Sequence, residues 1–495
     1  MSQAIAYSVP QEQLGPPERL HPLYLLTGLG QSFRGAWGLI AGGAVFATQG
    51  RWWIVVAMGV LFAVFSVGSL LMRWLKLEYR VGPHELRIDS GWLSRTSRVI
   101  PFDRVTDVDL EQGPLHRLFG LARVKLETGG SAGGKEEEGV LHTIKLERAE
   151  TLREHIKARR GKRDSVSPAE AADEDSATVY AMDLRRVLTA GLFDFSLAVI
   201  AGLFGITQTM GDALGFDPFE RSFWVGLLAQ SAPLRDAILA HQFIAAIGGT
   251  LILLLLGIGT GFIRTLLREY GFRLDRTAAG FRRRRGLLTL TDVSIPAKRV
   301  QATILASGPV RRRFGWSELR LQSLAQDGGK GDHVVAPLAR ASETDAILSS
   351  LNWKSAVRPE SWQPVSRAFV TSFIGILMPA AVATVATLPF FGPVGLAWLG
   401  GAMLAIGFRW LDWKHTRYAL EEGGLFIETG WWRHRRTMVP LIKIQSLDIS
   451  ESWWSRIFGI CTLRLGVAGG SGFSDHHVPA LTRMQAKALR AQLLS

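Results

Sequence analysis

Gly91–Gly120 reads GWLSRTSRVIPFDRVTDVDLEQGPLHRLFG, and two later stretches, Gly286–Gly315 and Gly430–Gly459, lie over it without a gap. All three open on Gly (Gly91, Gly286, Gly430) and carry Pro ten residues on (Pro101, Pro296, Pro440). They share an Arg (Arg117, Arg312, Arg456) and close on Phe-Gly: Phe119-Gly120, Phe314-Gly315 and Phe458-Gly459. Other columns keep their type. Arg104, Arg299 and Lys443 fall three residues after the Pro, followed by Val105, Val300 and Ile444. Five identical columns in thirty at fixed spacing mark an internal repeat, so one unit is used three times.

Outward from this cassette, β-type alternation precedes it in every copy: Tyr79, Val81, Leu86 and Ile88; Phe272 and Leu274; Tyr418, Leu420, Leu425 and Ile427. Beyond the Phe-Gly pair a strand is expected at Leu121–Thr128, Trp316–Ser323 and Ile460–Val467. There Val124, Leu319 and Leu463, and then Leu126, Leu321 and Leu465, alternate with an outward Lys125, Arg320 or Arg464. A Gly-rich turn, a short strand and a helical stretch (Arg148–Arg159, Ser342–Leu351, Leu481–Leu494) complete each unit. Antiparallel strands followed by one helix predict a small β-barrel or sandwich with the helix over one open end.

Each unit follows a pair of apolar blocks. Phe33–Thr48 and Trp52–Met72 form the first pair, Val187–Met210 and His241–Ile263 the second. Phe369–Phe391 and Val394–Phe408 form the third, split by Gly392-Pro393. Trp52–Met72 carries no charge, and about 20 apolar residues suffice to cross a hydrocarbon core of roughly 30 Å. Trp52-Trp53 and Trp74 lie near its ends, where indoles favour the interface. Arg73, Lys76 and Arg80 follow the second block, Arg264, Arg268 and Arg273 the fourth, and Arg409, Lys414 and Arg417 the sixth. The opposite turns are poor in positive charge, which places all three repeats in the cytoplasm.

The expected fold class is therefore an α+β membrane protein: six transmembrane helices in three hairpins, each followed by a cytoplasmic β-barrel or sandwich with a C-terminal helix. The expected division is a tail at 1–32, hairpins at 33–72, 181–263 and 367–408, repeat domains at 73–160, 264–352 and 409–495, and linkers at 161–180 and 353–366. A net charge of +14 over 495 residues points to an anionic partner surface, either nucleic acid or a membrane leaflet. Six spans without a nucleic-acid module favour the leaflet, and no nucleic-acid partner is expected. The single cysteine, Cys461, excludes an internal disulfide framework and argues against a cysteine-ligated metal. Residues 1–20 show no cleavable signal.

The span pair, the Tyr or Phe opening strand, the Gly-x9-Pro-x2-Arg core and the later Arg-x-Phe-Gly resemble the bacterial pleckstrin-homology (PH) domain. Nearly the whole chain is similar to YdbT-like membrane proteins, which carry several such domains after transmembrane pairs. The resemblance implies a PH-like fold, two roughly orthogonal sheets closed by a C-terminal helix. It also implies a multi-pass protein of the bacterial plasma membrane with both termini cytoplasmic. Lys443 departs from the Arg of the other copies, as suits a column that asks only for positive charge.

Most cassette columns have a structural reading. Gly suits a hairpin position with positive φ; Pro suits a strand start; Phe would plug the barrel while the Gly after it permits a close turn. Arg117, Arg312 and Arg456 either clamp carbonyls or carboxylates inside the fold or face a partner. The candidate lipid- or partner-binding residues are Arg282, Arg283, Arg284 and Arg285 before Gly286, and Arg433, Arg435 and Arg436 after Gly430. Beside an anionic leaflet each Arg gains about 1 kcal/mol; the alternative is a solvated face obeying the positive-inside bias. Gly129-x4-Gly134-Lys135 imitates a phosphate-binding loop, but Glu136 stands where Ser or Thr is required, so it reads as a strand connection. His476-His477 reads as a surface pair without a third metal ligand. No Gly-x-Ser-x-Gly elbow occurs, and neither cofactor nor metal is expected. Asp194 is the candidate intramembrane functional group; the alternative, without a basic partner in another span, is a place near the headgroups. The expected function is a non-enzymatic membrane scaffold presenting its repeats to a protein partner, anionic lipid or both. The alternative is a transport or export component using the six-helix bundle.

Overall fold

The computed structural model describes residues 15–28, 50–90, 96–128, 139–163, 177–194, 240–327, 330–351, 359–468 and 476–494, with 46, 226 and 353 besides. They fall into two compact units, drawn from 1–168, 182–272 and 284–293, and from 169–181, 273–283 and 294–495. Gly91, the block 33–48, most of 187–210 and the turn 129–134 lie largely or wholly outside the described residues.

In the first unit, β1 (Glu18–Arg19), β2 (Glu78–Val81), β3 (Glu85–Ser90) and β4 (Thr96–Pro101) form a four-stranded sheet in that order. Helix α1 (Trp52–Lys76) separates β1 from β2 in sequence. β5 (Val105–Gln112), the short helix α2 (Pro114–Leu118), β6 (Leu121–Thr128) and β7 (Val140–Lys145) build a second antiparallel sheet, followed by α3 (Leu146–Arg163). Alternation drives Leu86, Ile88 and Ile100 of the first sheet, Val108, Leu110, Val124 and Leu126 of the second, and Leu152 and Ile156 of α3 into one core. The unit also holds α4 (Leu184–Leu192) and α5 (Gln242–Glu269). Gly191 of α4 faces the backbone of Phe262, where an added Cβ would lie 3.0 Å from its Cα.

The second unit starts with β8 (Ala177–Ala181) on β9 (Arg273–Thr277), then β10 (Gly280–Arg285), whose last two residues belong to the first unit. β11 (Leu290–Pro296) is likewise shared. β12 (Val300–Ser307), α6 (Pro309–Arg313), β13 (Ser317–Asp327), β14 (Lys330–Ala339) and α7 (Ala341–Ser349) complete the second repeat. β15 (Gln363–Pro364) precedes α8 (Ala368–Thr371), α9 (Leu377–Phe391) and α10 (Ala397–Lys414). β16 (Arg417–Glu421), β17 (Gly424–Thr429) and β18 (His434–Pro440) follow, then β19 (Ile444–Ser450), α11 (Trp453–Ile457), β20 (Ile460–Val467), β21 (His476–Thr482) and α12 (Arg483–Leu494). The last repeat packs Tyr418, Leu425 and Ile427 against Leu463, Leu465, Val478 and Leu489.

Two features extend beyond single repeats. β14-β13-β12-β18-β17-β16-β15 is one seven-stranded sheet, so the second sheet of repeat 2 runs on into the first sheet of repeat 3. In the first unit Leu290–Asp292 of repeat 2 pairs with β5 of repeat 1 in the same manner. Second, β1, β8 and β15 come from stretches that read as tail and linkers, yet they pair with β2, β9 and β16 beyond the apolar segments.

Among the described residues, three segments are long and apolar enough to cross a membrane: Trp52–Lys76, Ile247–Glu269 and Ala368–Lys414. Their side chains point outward along the length, among them Leu61, Phe65, Ile252, Met378 and Phe390, which water would not tolerate and a bilayer solvates. The third turns at Gly392 (φ +58), where Gly395 comes within 3.0 Å of the Leu388 backbone nitrogen when a Cβ is placed on it.

Candidate functional site

From the strand before the Pro onward, the cassette folds alike in each copy. Gly286 and Gly430 have φ of +120° and +81°. A Cβ there would run into the carbonyl oxygens of Thr289 and Arg433, so no side chain fits. Pro101, Pro296 and Pro440 end strands β4, β11 and β18, where strand starts were expected. Their φ values of −63°, −64° and −62° close the ladder and lead into a single 3₁₀ turn over Phe102–Arg104, Ala297–Arg299 or Leu441–Lys443. The next strand then needs no N–H from the Pro. The Phe does not plug a barrel. It caps the C-terminus of α2, α6 or α11 on the outside, leaving Phe119 and Phe314 51% and 64% exposed. The following Gly is left-handed (φ +62°, +71° and +65°) and sends the chain back into β6, β13 or β20, whose own apolar residues fill the core. Phe458 differs, packing against Phe369, Ile460 and Ala480.

The seven basic candidates divide by strand alternation. Arg283 of β10 is wholly buried and donates through Nη1 to the Val334 carbonyl at 3.1 Å, so no headgroup reaches it. Arg285 donates to both oxygens of buried Glu269, at 2.9 and 3.1 Å, tying the hairpin to the end of α5. Arg436 donates from Nε and Nη2 to Glu428 at 3.1 and 2.9 Å. Glu428, 2% exposed, also accepts from Arg417 and lies 3.1 Å from His434 Nε2. Burial alone would raise the Glu428 carboxyl; hydrogen bonds from His434, Arg417 and Arg436, with the charge of Arg436, outweigh it and hold it at about 2. Burial lowers the Arg435 guanidinium, opposed by Asp332. Arg284 and Arg433 are exposed, and Arg282 is half-buried. Much of the predicted grip is thus spent inside the fold.

The bacterial PH domain family matches residues 25–160, 227–354 and 372–495, one match per repeat. The chain belongs to the bacterial PH domain family. It is a membrane protein with three PH repeats. It is 22% identical over 447 residues to the UPF0699 transmembrane protein YdbT of Bacillus subtilis (strain 168), covering 86% of each chain. It is also 32% identical over 111 residues to the UPF0699 transmembrane protein YdbS of the same organism, covering 21% of this chain and 66% of that one. No solved structure matches.

The recurring arginine of the PH repeats sits on the short helix after the second cassette strand. Arg117 donates through Nη1 to the Leu287 carbonyl of the following PH repeat at 2.5 Å. Arg312 lines a cavity of about 360 Å³ with Trp316, Thr344, Phe426, His434 and Arg436, over the sheet shared by repeats 2 and 3. Arg456, in the third repeat, lies 3.7 Å from Glu451, which Arg483 also holds at 2.7 Å. A second cavity, about 370 Å³, lies beside Phe369, Arg409, Asp412, Arg435 and His477.

Two further expectations change. His476 and His477 are not a surface pair: neighbours on a strand face opposite ways, and His476 is buried with Nε2 2.6 Å from Gln322 Oε1 of the preceding repeat. Asp194 has partners on another helix, accepting from Thr265 Oγ1 at 2.8 Å and lying 3.8 Å from Arg268. Both are near the basic end of α5, so Asp194 is level with the span terminus. Sequence reading missed the acceptors Glu269 and Glu428. A carboxylate two turns after an apolar run, and another opposite a tri-basic strand, were the available signals.

Proposed function

We propose that the chain is a non-enzymatic scaffold of the bacterial plasma membrane that presents three cytoplasmic PH-like barrels to a protein partner, anionic lipid or both. The observation that carries this is strand pairing between successive repeats: β5 with Leu290–Asp292, and β12 with β18. Such pairing needs consecutive repeats on one membrane face. Pairing of β1 with β2 and of β15 with β16 supports an even number of crossings between them, since strands do not pair through a bilayer core of roughly 30 Å. That favours three hairpins, hence six spans. The excess of Lys and Arg after each hairpin favours the cytoplasmic face.

Exposed Arg284 and Arg433 are the residues left to meet a surface outside the fold. The full chain in nanodiscs of zwitterionic lipid, with and without an anionic lipid, tests the lipid arm by hydrogen exchange. Slower exchange over 282–289 and 430–436 with anionic lipid, abolished by Arg284→Ala/Arg433→Ala, is the expected result. Equal exchange in both nanodiscs counts against it. Transport has no comparable support, because Asp194 is satisfied at a span end.

A further inference from the structure

The two junctions between repeats use one register. Leu290 and His434 each lie four residues beyond the opening Gly of their cassette, and their partners Gln112 and Ser307 each lie twenty-one residues beyond theirs. Thr291 opposite Glu111 and Arg435 opposite Ala306 continue the match, as do Asp292 opposite Leu110 and Arg436 opposite Leu305. The repeat therefore carries a donor edge on its first sheet and an acceptor edge on its second, complementary by construction.

Two such junctions join the three repeats, so one edge of each kind is left outside them. Among the described residues β4 ends the sheet β1-β2-β3-β4, and β19 ends the sheet β19-β20-β21. Burial records the difference. Met438, which faces Thr303 across the second junction, is 3% exposed and Thr303 is 5% exposed. The same columns at the array ends hold Val99, 44% exposed, and half-buried Leu447. One column along, Thr437 and Ile304 are buried, whereas the terminal counterparts are half-buried Arg98 and exposed Asp448, of opposite charge. Unpaired edges bearing N–H and C=O groups are templates for another strand, and opposite charges directly across an antiparallel pair add stability.

We propose that β4 of one copy pairs antiparallel with β19 of a second copy of this chain, repeating the internal register: Thr96 with Ser450, Ser97 with Ile449, Arg98 with Asp448 and Val99 with Leu447. The contact is heterologous, head to tail, and makes rings or rows of copies in the plane of the membrane. It stands on the repeat geometry and not on the lipid or partner reading above, so either can fail alone.

The test uses full-length chains lacking Cys461 (Cys461→Ser), carrying two different tags and co-expressed. Ser97→Cys on one copy and Ile449→Cys on the other are oxidised in native membranes. A disulfide-linked dimer bearing both tags is expected, with several-fold less from the out-of-register pair Ser97→Cys and Gln445→Cys. Asp448→Arg should reduce the crosslink several-fold, and adding Arg98→Asp on the other copy should restore it. Three results overturn the proposal: no mixed dimer from the in-register pair, equal yields from both pairs, or, with both cysteines on one chain, a crosslink confined to that chain. Full membrane expression and labelling of each single cysteine under denaturing conditions exclude trivial failure.

Discussion

Glu428→Gln tests the main electrostatic claim about the third repeat. Glu428 is nearly fully buried and receives Arg417, Arg436 and His434. Its carboxyl is held at about 2 against an ordinary value of 4.5. The difference corresponds to roughly 3 kcal/mol of stabilisation at about 1.4 kcal/mol per pH unit. Arg417 and Arg436 are 43% and 25% exposed, so water takes over part of the interaction when the charge is removed. The expected cost of Glu428→Gln at pH 7 is about 2 kcal/mol, or a melting point lower by about 4–8 °C for a cooperative unit of 150–250 residues.

The sign of the pH dependence follows from the depressed value. The folded protein binds fewer protons at this site than the unfolded chain, so the stabilisation is complete above pH 4.5 and is lost as pH falls towards about 2. Near-ultraviolet circular dichroism of the full chain in nanodiscs, melted at a series of pH values, should show wild type and variant converging below pH 4.5. A gap that stays constant from pH 7 to pH 2 would mean that Gln disturbs packing and that the ion cluster contributes nothing. No gap at pH 7 would refute the reasoning as well.

Gly286→Ala and Gly430→Ala should each cost about 2 kcal/mol or more, because positive φ and a blocked Cβ coincide there. Gly120→Asn, at φ +62° with open space around it, should change stability by less than about 1 kcal/mol in the same melts. Asp194→Asn keeps the Thr265 hydrogen bond and loses a pairing to half-exposed Arg268, so proton and ion flux in reconstituted vesicles should be unchanged; a loss would revive transport. Ile442→Cys, at an 89% exposed position and in a Cys461→Ser chain, should react with an impermeant maleimide in inside-out vesicles; reaction in intact cells would move the repeats to the outer face. Cys461 itself is buried and suits no such labelling in the folded state.

Much of the fold was legible because two periodicities dominate the chain: apolar blocks of span length, and alternation around a repeated Gly-Pro-Phe-Gly frame. Core positions such as Val124, Leu319 and Leu463 followed from period two alone, and all three are fully buried. The failures are local and have one cause. Phe119 and Pro101 were placed by residue type, apolar inside and Pro at a strand start, whereas the short helix α2 and the 3₁₀ turn at Phe102 decide their positions. Nothing in the spacing announces a five-residue helix at the surface. Cross-repeat partners were equally hidden, since His476 and Gln322 are far apart in sequence and share no pattern.

The basic residues show why net charge is a poor guide to partners here. An excess of +14 invites an anionic ligand, and the runs Arg282–Arg285 and Arg433–Arg436 look like its seat. Strand alternation forbids that reading for half of each run, because successive side chains must leave on opposite faces. The inward ones find acceptors already in the chain: Val334 for Arg283, Glu269 for Arg285 and Glu428 for Arg436. Glu269 ends a span, and Glu428 lies in the sheet that continues into the neighbouring repeat. Of these pairings, Arg285–Glu269 couples a PH repeat to its membrane helix, whereas Arg283–Val334 and Arg436–Glu428 each close within one repeat. The recurring Arg117 extends the same logic, reaching a carbonyl of the following repeat. A motif can recur at fixed spacing without one shared contact: Arg117 docks on the following repeat, Arg312 lines the cavity over the shared sheet, and Arg456 lies beside Glu451 of its own repeat.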